Sequence, residues 1–178
     1  VYTELFTIYY FRNEFDFAKY WQSTDRMKFD FSITEDLKID VKSTIKSERI
    51  HKFRHDQLNS AKNKVYIISY KLQKDDQGLS LYDLMKSCLP LLNSYPTKKA
   101  RIVRYICDDE CKEELQQFRF NENYTIDNMR IINALNIPKF KENPLNVTDA
   151  EYNSNCEECS MEDIDFIIGE LKEAIANK

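Results

Sequence analysis

Asp30, Asp40 and Lys42 are the residues of this chain whose types and spacing best suit chemistry. They lie in two stretches, 27–34 and 37–44, in which apolar and polar residues alternate, and this pattern predicts two strands that each bury one face. The apolar residues of both strands share a face only if the loop between the strands has three residues. This register places Asp30 directly opposite Asp40, with Lys42 further along the same face.

The predicted pairing sets two negative charges directly opposite each other, which destabilises a strand pair. A bound divalent cation would offset the repulsion, because such ions take oxygen ligands from clustered carboxylates. The alternative is a polar face in contact with water, on which two aspartates tolerate each other. The same register sets Lys28 opposite Lys42, which a cation does not explain, so the spacing alone leaves both interpretations open.

The rest of the chain predicts the elements that must hold this hairpin. The stretch 63–73 is rich in β-branched and aromatic residues, which is typical of a central strand buried on both faces. The stretch 117–133 suggests a second hairpin. Apolar residues at helical spacing predict helices over 1–13, 79–92 (with Ser80 as its cap), 98–115 and 161–178. Helices and strands mixed in this way predict an α/β or α+β fold.

Length and composition bound the class of protein. The chain has 178 residues, 42% of them apolar, with two Gly and four Pro, which predicts one globular domain over 1–178. No apolar run reaches the roughly 18 residues that span a bilayer, so we expect no membrane partner. Five Cys, an odd number, favour a reducing cytoplasm over a secreted disulfide scaffold. Because the chain begins without Met inside a helical pattern, we expect the C-terminal part of a longer protein.

Charge is distributed unevenly along the chain. The formal net charge of −4 argues against a protein that grips nucleic acid with its whole surface. Residues 38–74 carry ten Lys or Arg and three acids, a net charge of +7, whereas residues 107–178 carry a net charge of −10. A polyanion such as nucleic acid would bind to a local basic band of this kind. The solvated face of a Lys-rich protein is an equally good interpretation of the pattern alone.

Cysteines and histidines offer further candidates. Four cysteines have spacings that could make a zinc site, although free thiols are the favoured interpretation: Cys107, Cys111, Cys156 and Cys159. His51 and His55 could contact phosphate, but their favoured interpretation is that of partly buried polar side chains. The sequence has no Gly-rich phosphate loop and no G-x-S-x-G motif, so nucleotide hydrolysis and serine chemistry are unsupported.

The motif D-(nine residues)-D-x-K across a hairpin, preceded by a helix with Glu4, resembles the PD-(D/E)XK nuclease superfamily. The likeness extends to one bacterial branch, the restriction-associated PD-(D/E)XK motif proteins encoded near DNA methylases and other phage-defence genes. YTELFTIYYF is similar to the G-E-L-x-x-L helix of that branch, and KIDVKST followed by HKFRHDQL is similar to its strand, linker and Gln-bearing helix. VYIISYKLQKDDQGLSLYDLM and NVTDAEYNSN resemble its next strand and helix and its closing strand. Thr3 replaces the usual Gly, and Phe29 the usual Pro.

The resemblance covers about 1–153 and implies a restriction-endonuclease-like core, in which helices flank a mixed central sheet. It also implies that Asp30, Asp40 and the carbonyl of Val41 hold Mg²⁺ or Mn²⁺. Glu4 would contribute from the helix, through a second metal ion or a water.

The resemblance gives Lys42 the role of an ammonium that acts on a metal-bound water or on the phosphate. Gln57 would position Lys42 or the phosphate. The implied function is a metal-dependent DNA endonuclease of a restriction or phage-defence system, with DNA as its substrate and a homodimer or defence-system proteins as candidate partners. The rival class is a DNA-binding or scaffolding subunit that keeps the nuclease-like fold without cutting. A repair nuclease is a third interpretation.

Overall fold

The computed structural model describes residues 1–23, 27–142 and 145–177. Its helices are α1 (Tyr2–Tyr10), α2 (Phe17–Tyr20), α3 (His55–Leu58), α4 (Leu81–Cys88), α5 (Pro96–Ile106), α6 (Asp109–Gln117), α7 (Glu122–Asp127) and α8 (Ile164–Ala176). Its strands are β1 (Phe31–Ser32), β2 (Leu37–Thr44), β3 (Ile50–Arg54), β4 (Lys64–Lys71), β5 (Lys74–Ser80), β6 (Arg119–Phe120), β7 (Arg130–Asn133) and β8 (Glu151–Asn155). Short 3₁₀ turns cover Pro90–Leu92 and Ala134–Asn136.

A mixed sheet with the strand order β1-β2-β4-β7 carries the hairpin. Strand β2 runs antiparallel to β1 and parallel to β4, and β7 runs antiparallel to β4. The predicted register is confirmed, because Phe31 pairs with Ile39. The parallel pair needs a crossover. Strand β3 and helix α3 lie in that connection, and β3 pairs with β8 in a separate two-stranded sheet.

Strand β4 is buried on both faces, as its continuous apolar run predicts. Tyr66 and Tyr70 lie in the main core, to which helices α1 and α4 contribute. Val65 and Ile67 lie in a smaller cluster with Phe53 of β3. We call the side of the sheet that bears Tyr66 and Tyr70 the helix face, and the side that bears Val65 and Ile67 the crossover face.

The helices on the helix face begin and end much as the sequence predicts. Helix α4 starts after Ser80, whose side-chain oxygen accepts a hydrogen bond from the backbone N–H of Asp83, so the predicted cap is confirmed. The final helix, predicted over 161–178, is α8, and Asp163 caps it through the backbone N–H of Phe166.

Two element predictions were wrong. The single helix predicted over 98–115 is two helices, because Asp108 caps a new helix through the backbone N–H of Glu110. The hairpin predicted over 117–133 does not form. Strand β6 pairs with β5 and strand β7 with β4, and helix α7 separates the two, capped by Asn121.

The hairpin itself is shorter than predicted. Within the stretch 27–34 the strand covers only Phe31 and Ser32, and Phe29 packs in the crossover-face cluster instead of lying beside Val41. Lys28 forms an ion pair with Asp56 at 2.9 Å, so the expected pair of facing lysines does not arise. The mixed α+β class and the mixed central sheet flanked by helices are confirmed. Within the described ranges, no helix is long and apolar enough to cross a membrane.

Candidate active site

Asp30 lies where the first strand of the hairpin leaves the sheet. The backbone N–H of Val41 donates to Asp30 Oδ2 at 2.6 Å, in place of the strand carbonyl that a longer β1 would offer. The backbone carbonyl of Asp30 accepts a hydrogen bond from Gln22 at 2.7 Å. These two contacts keep the Asp30 carboxylate against β2, at the position opposite Asp40.

Asp40 is the buried carboxylate of the cluster, with 3% of its surface exposed. Its Oδ2 lies 2.9 Å from Lys42 Nζ, yet no described group gives this oxygen a well-directed hydrogen bond. Its Oδ1 lies 3.4 Å from Gln57 Nε2. A buried carboxylate needs a compensating positive charge, and Lys42 supplies one. A divalent cation bound at this oxygen would compensate the neighbouring carboxylates as well.

Burial and like charges raise the pKa of both aspartates. The pKa of Asp30 is raised to about 7, first by burial and then by the negative charges of Asp40 and Glu4. The pKa of Asp40 is also raised, chiefly by burial, although attraction to Lys42 opposes the rise. One lysine does not balance three neighbouring carboxylates, so the cluster favours uptake of a proton or a cation near neutral pH.

Gln57 is held at the start of α3 by backbone contacts. Its Oε1 accepts from the N–H of Arg54 at 3.1 Å, and its Nε2 donates to the carbonyl of Lys28 at 2.8 Å. The same Nε2 reaches Asp40 Oδ1. The resemblance implies that Gln57 positions Lys42 or the phosphate, and this role stays a prediction. In the structure its amide contacts the carboxylate of Asp40, the ion-pair partner of Lys42.

Glu4 projects from α1 and is held by Trp21. Its Oε2 accepts from Trp21 Nε1 at 2.8 Å. Trp21 is the only tryptophan of the chain and is 2% exposed. Sequence reasoning missed this contact, because its only signal is the need of a buried indole N–H for an acceptor.

The described residues contain no group of three or more His, Cys, Asp or Glu side chains that could hold a metal ion. The fit to a cation therefore rests on Asp30, Asp40 and the backbone at Val41. This set suits Mg²⁺, which is often held by one or two carboxylates and keeps several waters. The Oδ2 of Asp40, which is ion-paired with Lys42, is an atom that such an ion would engage. The role of Glu4 at a second metal ion or a water stays a prediction.

The cysteines do not gather into a zinc site in the described part of the chain. Cys107 is exposed, whereas Cys156 is buried, and both are free thiols. Burial raises the pKa of Cys156 to about 12. The interpretation that these thiols hold no zinc stays a prediction.

A groove of about 400 Å³ lies beside Lys42 on the crossover face. Its basic lining residues are Lys42, Lys52 and Arg54. His51 also lines it, although the ring is 3% exposed and its Nε2 lies 2.6 Å from Ser69 Oγ. The structure agrees with the prediction that His51 is a buried polar side chain.

The basic segment 38–74 does not form one continuous surface. Arg49 is 1% exposed, and Lys64 and Lys71 form ion pairs with Glu170 and Glu157. Acidic side chains from the C-terminal part of the chain also contact the basic residues of the groove.

Lys52 pairs there with Glu151, and Arg54 pairs with Asp149 at 3.8 Å. Acidic residues of the segment 107–178 therefore neutralise part of the basic band.

Family comparison adds a context for these residues. Residues 6–157 match the family model described as "Putative PD-(D/E)XK family member, (DUF4420)". The chain belongs to this family. The range matched to DUF4420 contains Asp30, Asp40, Lys42 and Gln57, and it leaves Glu4 outside. No curated protein and no solved structure matches the chain.

Membership in a PD-(D/E)XK family carries with it a nuclease-like fold. The mixed sheet, with its D-(nine residues)-D-x-K hairpin at one edge and helices against it, is consistent with a restriction-endonuclease-like core.

Proposed function

We propose that this DUF4420 domain is a metal-dependent endonuclease that hydrolyses phosphodiester bonds of DNA. One observation carries the proposal: Asp40 is buried with its Oδ2 2.9 Å from Lys42 Nζ, and the negative charges of Asp30 and Glu4 lie close to this single ion pair. A carboxylate in this state, with Asp30 opposite it, suits a divalent cation better than it suits a purely structural hairpin.

Asp30 and Asp40 would hold Mg²⁺ or Mn²⁺ together with the carbonyl of Val41. When bound, the ion supplies a water of lowered pKa and neutralises charge that develops on the phosphate. Asp30 already accepts a hydrogen bond from the N–H of Val41, which fixes its carboxylate before any ion arrives. Gln57 fixes the carboxylate of Asp40 from the other side.

Lys42 supplies the positive charge that acts on the substrate. Its ammonium is ion-paired with Asp40 and lies 5.5 Å from the ring centroid of Phe53. With the Asp40 oxygen held by a metal ion, Lys42 would donate to a water or to a phosphate oxygen. An ammonium so placed stabilises the negative charge of the pentavalent state.

The resemblance to restriction-associated proteins supports a role in restriction or phage defence in the cytoplasm. It also supports partners encoded nearby, or a second copy of the chain. The groove beside Lys42 gives the DNA backbone a place to lie, with Lys52 and Arg54 as its further basic residues.

A non-cutting DNA-binding or scaffolding subunit is the second candidate. Two observations favour it. The ion pair with Asp40 neutralises Lys42 within the site. Glu151 and Asp149 pair with the basic residues Lys52 and Arg54 of the groove.

Cleavage assays distinguish the two candidates. Wild-type protein, Asp40→Asn and the exposed-loop control Asp36→Asn would each be given Mg²⁺ or Mn²⁺ with duplex, single-stranded and methylated DNA. We expect wild type and Asp36→Asn to cut and Asp40→Asn not to cut, because an amide lacks the charge that holds the ion. Intact DNA in every reaction, with DNA binding retained, would favour the non-cutting subunit.

A further inference from the structure

A second cavity lies at the proposed site, between helix α5 and the hairpin. Asp30, Glu4 and Trp21 line it on the side of the site. Arg101 and Tyr105 line it on the side of α5, where their spacing of four residues makes them neighbours on one face of the helix. We call this cavity the α5 pocket. The proposed site therefore lies between two cavities, the groove and the α5 pocket.

Helix α5 is basic, and several contacts hold it in this position. Its 11 residues include four Lys or Arg and no acid: Lys98, Lys99, Arg101 and Arg104. Lys98 Nζ donates to the carbonyls of Ala18 at 2.8 Å and Lys19 at 2.7 Å, which ties α5 to the end of α2. Ile102, which follows Arg101, is 1% exposed and packs in the main core. These contacts fix the backbone that carries Arg101 before any ligand binds.

The charge of the α5 pocket depends on what the proposed site holds. Without a metal ion, the carboxyl groups of Glu4 and Asp30 line the pocket opposite the guanidinium of Arg101, and they disfavour an anion there. A divalent cation at Asp30 would be the largest local charge and would compensate these carboxyl groups. The positive charge of Arg101 would then dominate the pocket, so a metal-loaded site should attract an anion to it.

The volume of the α5 pocket limits the size of that anion. The pocket has a volume of about 120 Å³, whereas pockets that enclose a drug-sized ligand have roughly 300 Å³ or more. This volume suits a phosphate group better than a whole nucleoside. A guanidinium matches a phosphate well, because it can donate two parallel hydrogen bonds. Tyr105 lines the pocket and is 41% exposed, so its ring lies at the mouth, where the rest of a nucleotide has room.

We propose that the α5 pocket is a second phosphate subsite, in which Arg101 donates to the non-bridging oxygens of the phosphate next to the one at the metal ion. Arg101 is then a substrate-binding residue that acts when the metal ion is present. The inference rests on the proposed function for its ligand, a DNA strand. It adds the path of that strand, which runs from the groove beside Lys42, past Asp30, to α5.

Binding measurements test this contact, with Arg104→Ala as the matched control. Arg104 carries the same charge on the same helix, is exposed, and is not one of the described residues that line the α5 pocket. Short single-stranded DNA would be titrated against the wild type and both variants, in Ca²⁺ and in EDTA. The loss of a hydrogen bond to a charged group predicts that Arg101→Ala binds roughly tenfold more weakly in Ca²⁺.

The dependence on the metal ion is the second part of this test. In EDTA, Arg101→Ala should bind DNA like the wild type, because the carboxyl groups of Glu4 and Asp30 then keep the phosphate out of the pocket. Arg104→Ala should lose far less affinity than Arg101→Ala in Ca²⁺. Equal losses in the two variants, or a loss in Arg101→Ala that is the same with and without Ca²⁺, would overturn the proposal.

A single linkage of the strand should account for the loss. One methylphosphonate, which removes the charge of one phosphate, would be placed at each internal linkage in turn. At one linkage it should weaken binding to the wild type by about the factor that Arg101→Ala loses, and it should not weaken Arg101→Ala further. Arg104→Ala should stay sensitive at that linkage. Losses that multiply at every linkage would overturn the contact.

Two further measurements separate the contact from a purely structural role of Arg101. If Arg101→Ala fails to fold, Arg101→Lys replaces it, and this variant should bind more weakly than the wild type in Ca²⁺, because lysine is a point charge without two parallel donors. An Arg101→Lys protein that folds and binds as tightly as the wild type would overturn the contact. An Arg101→Ala protein that binds Ca²⁺ more tightly and keeps its DNA affinity in saturating Ca²⁺ would reduce Arg101 to a counter-ion of Glu4 and Asp30.

Trp21 lines the α5 pocket, so its fluorescence reports on the pocket without any cutting. DNA bound in Ca²⁺ should change the emission of Trp21, and DNA with the methylphosphonate at the sensitive linkage should change it less. Inorganic phosphate should bind far more weakly than DNA, because it lacks the neighbouring phosphate that the metal ion holds. Equal affinity for inorganic phosphate would reduce the subsite to a simple anion site.

The outcomes also distinguish this inference from the proposed function. DNA that is bound with the predicted coupling at one linkage but is never cut would leave the subsite standing and remove the endonuclease. DNA that is cut by a protein whose Arg101→Ala variant shows no such coupling would overturn the subsite and leave the endonuclease standing.

Discussion

The two faces of the central sheet bury different kinds of side chain. The helix face buries apolar residues such as Phe6, Phe31 and Tyr70, each 0% exposed. The crossover face buries Asp40 and Arg49, each with charged or polar partners, next to a smaller apolar cluster. Polar and charged groups destabilise a core unless they are satisfied. The main apolar core and the proposed site therefore lie on opposite faces of the sheet, and each face should respond to a different kind of change.

The largest expected effect is on the helix face. Phe6→Ala removes a fully buried ring that packs edge-on against Tyr70 at 5.7 Å between ring centroids. Cavity formation predicts a loss of about 3–5 kcal/mol in the free energy of unfolding. Urea unfolding measures this loss, and a change below about 1 kcal/mol would contradict the assignment of the stability core to this face.

A change of pH should alter the stability of the protein through Asp30, which lies beside Asp40 of the crossover face. The pKa of Asp30 rises from 3.8 to about 7 in the fold, so between these values the folded protein holds a proton that the unfolded chain has released. The metal-free protein should therefore lose stability as pH rises through this window, by up to about 4 kcal/mol.

Asp30→Asn removes the titrating group, so its stability relative to wild type should grow across the same window. Thermal unfolding in EDTA at several pH values gives the two curves. Curves that run parallel from pH 4 to pH 7 would show that Asp30 does not titrate in this way.

Lys42→Ala should change activity far more than stability. The loss of one positioned charge predicts a fall in cutting rate of about 10²–10³, or roughly 3–4 kcal/mol. Ca²⁺ binding should persist, because Lys42 holds no ion and competes for Asp40. Lys46→Ala, an exposed residue soon after the same strand, is the matched control. Equal losses in the two variants would remove Lys42 from the chemistry.

Asp40→Asn gives the smallest expected effect on the fold. It should end cutting, and in EDTA it should leave stability equal or raise it by up to about 1 kcal/mol, since a like-charge pair is removed. A structural hairpin would show the reverse, with a weaker fold and unchanged activity. Denaturation of Asp40→Asn beside Asp36→Asn measures the difference.

The sequence predicts the hairpin best, because alternation has a period of two and leaves one register that buries all its apolar residues. The pairing of Phe31 with Ile39 follows from that rule. The break between α5 and α6 was missed because apolar spacing continues across it, although Asp108 is a readable cap. The strands around Asn121 were misassigned because their partners, β5 and β4, lie far away along the chain.

In the candidate site, too, contacts set by short-range alternation were predictable and contacts between distant segments were not. Asp30, Asp40 and Lys42 meet as the register requires, because short-range alternation decides their face. The contacts of Gln57 with Asp40 and of Trp21 with Glu4 depend on how distant segments approach, which spacing along the chain does not encode. Arg49 looks like a surface residue in a basic stretch, and only the fold shows it buried against Ser69.

The contact between Trp21 and Glu4 gives the protein a built-in optical reporter. The chain has one indole, which is buried and donates its N–H to Glu4, a residue of the proposed site. Emission excited at the red edge of the absorbance therefore comes from this single place. An ion, proton or nucleotide that changes the charge at Glu4 changes the electric field across the indole ring and therefore shifts its emission maximum. Binding at the proposed site can therefore be followed in real time by the intrinsic fluorescence of Trp21, without a label.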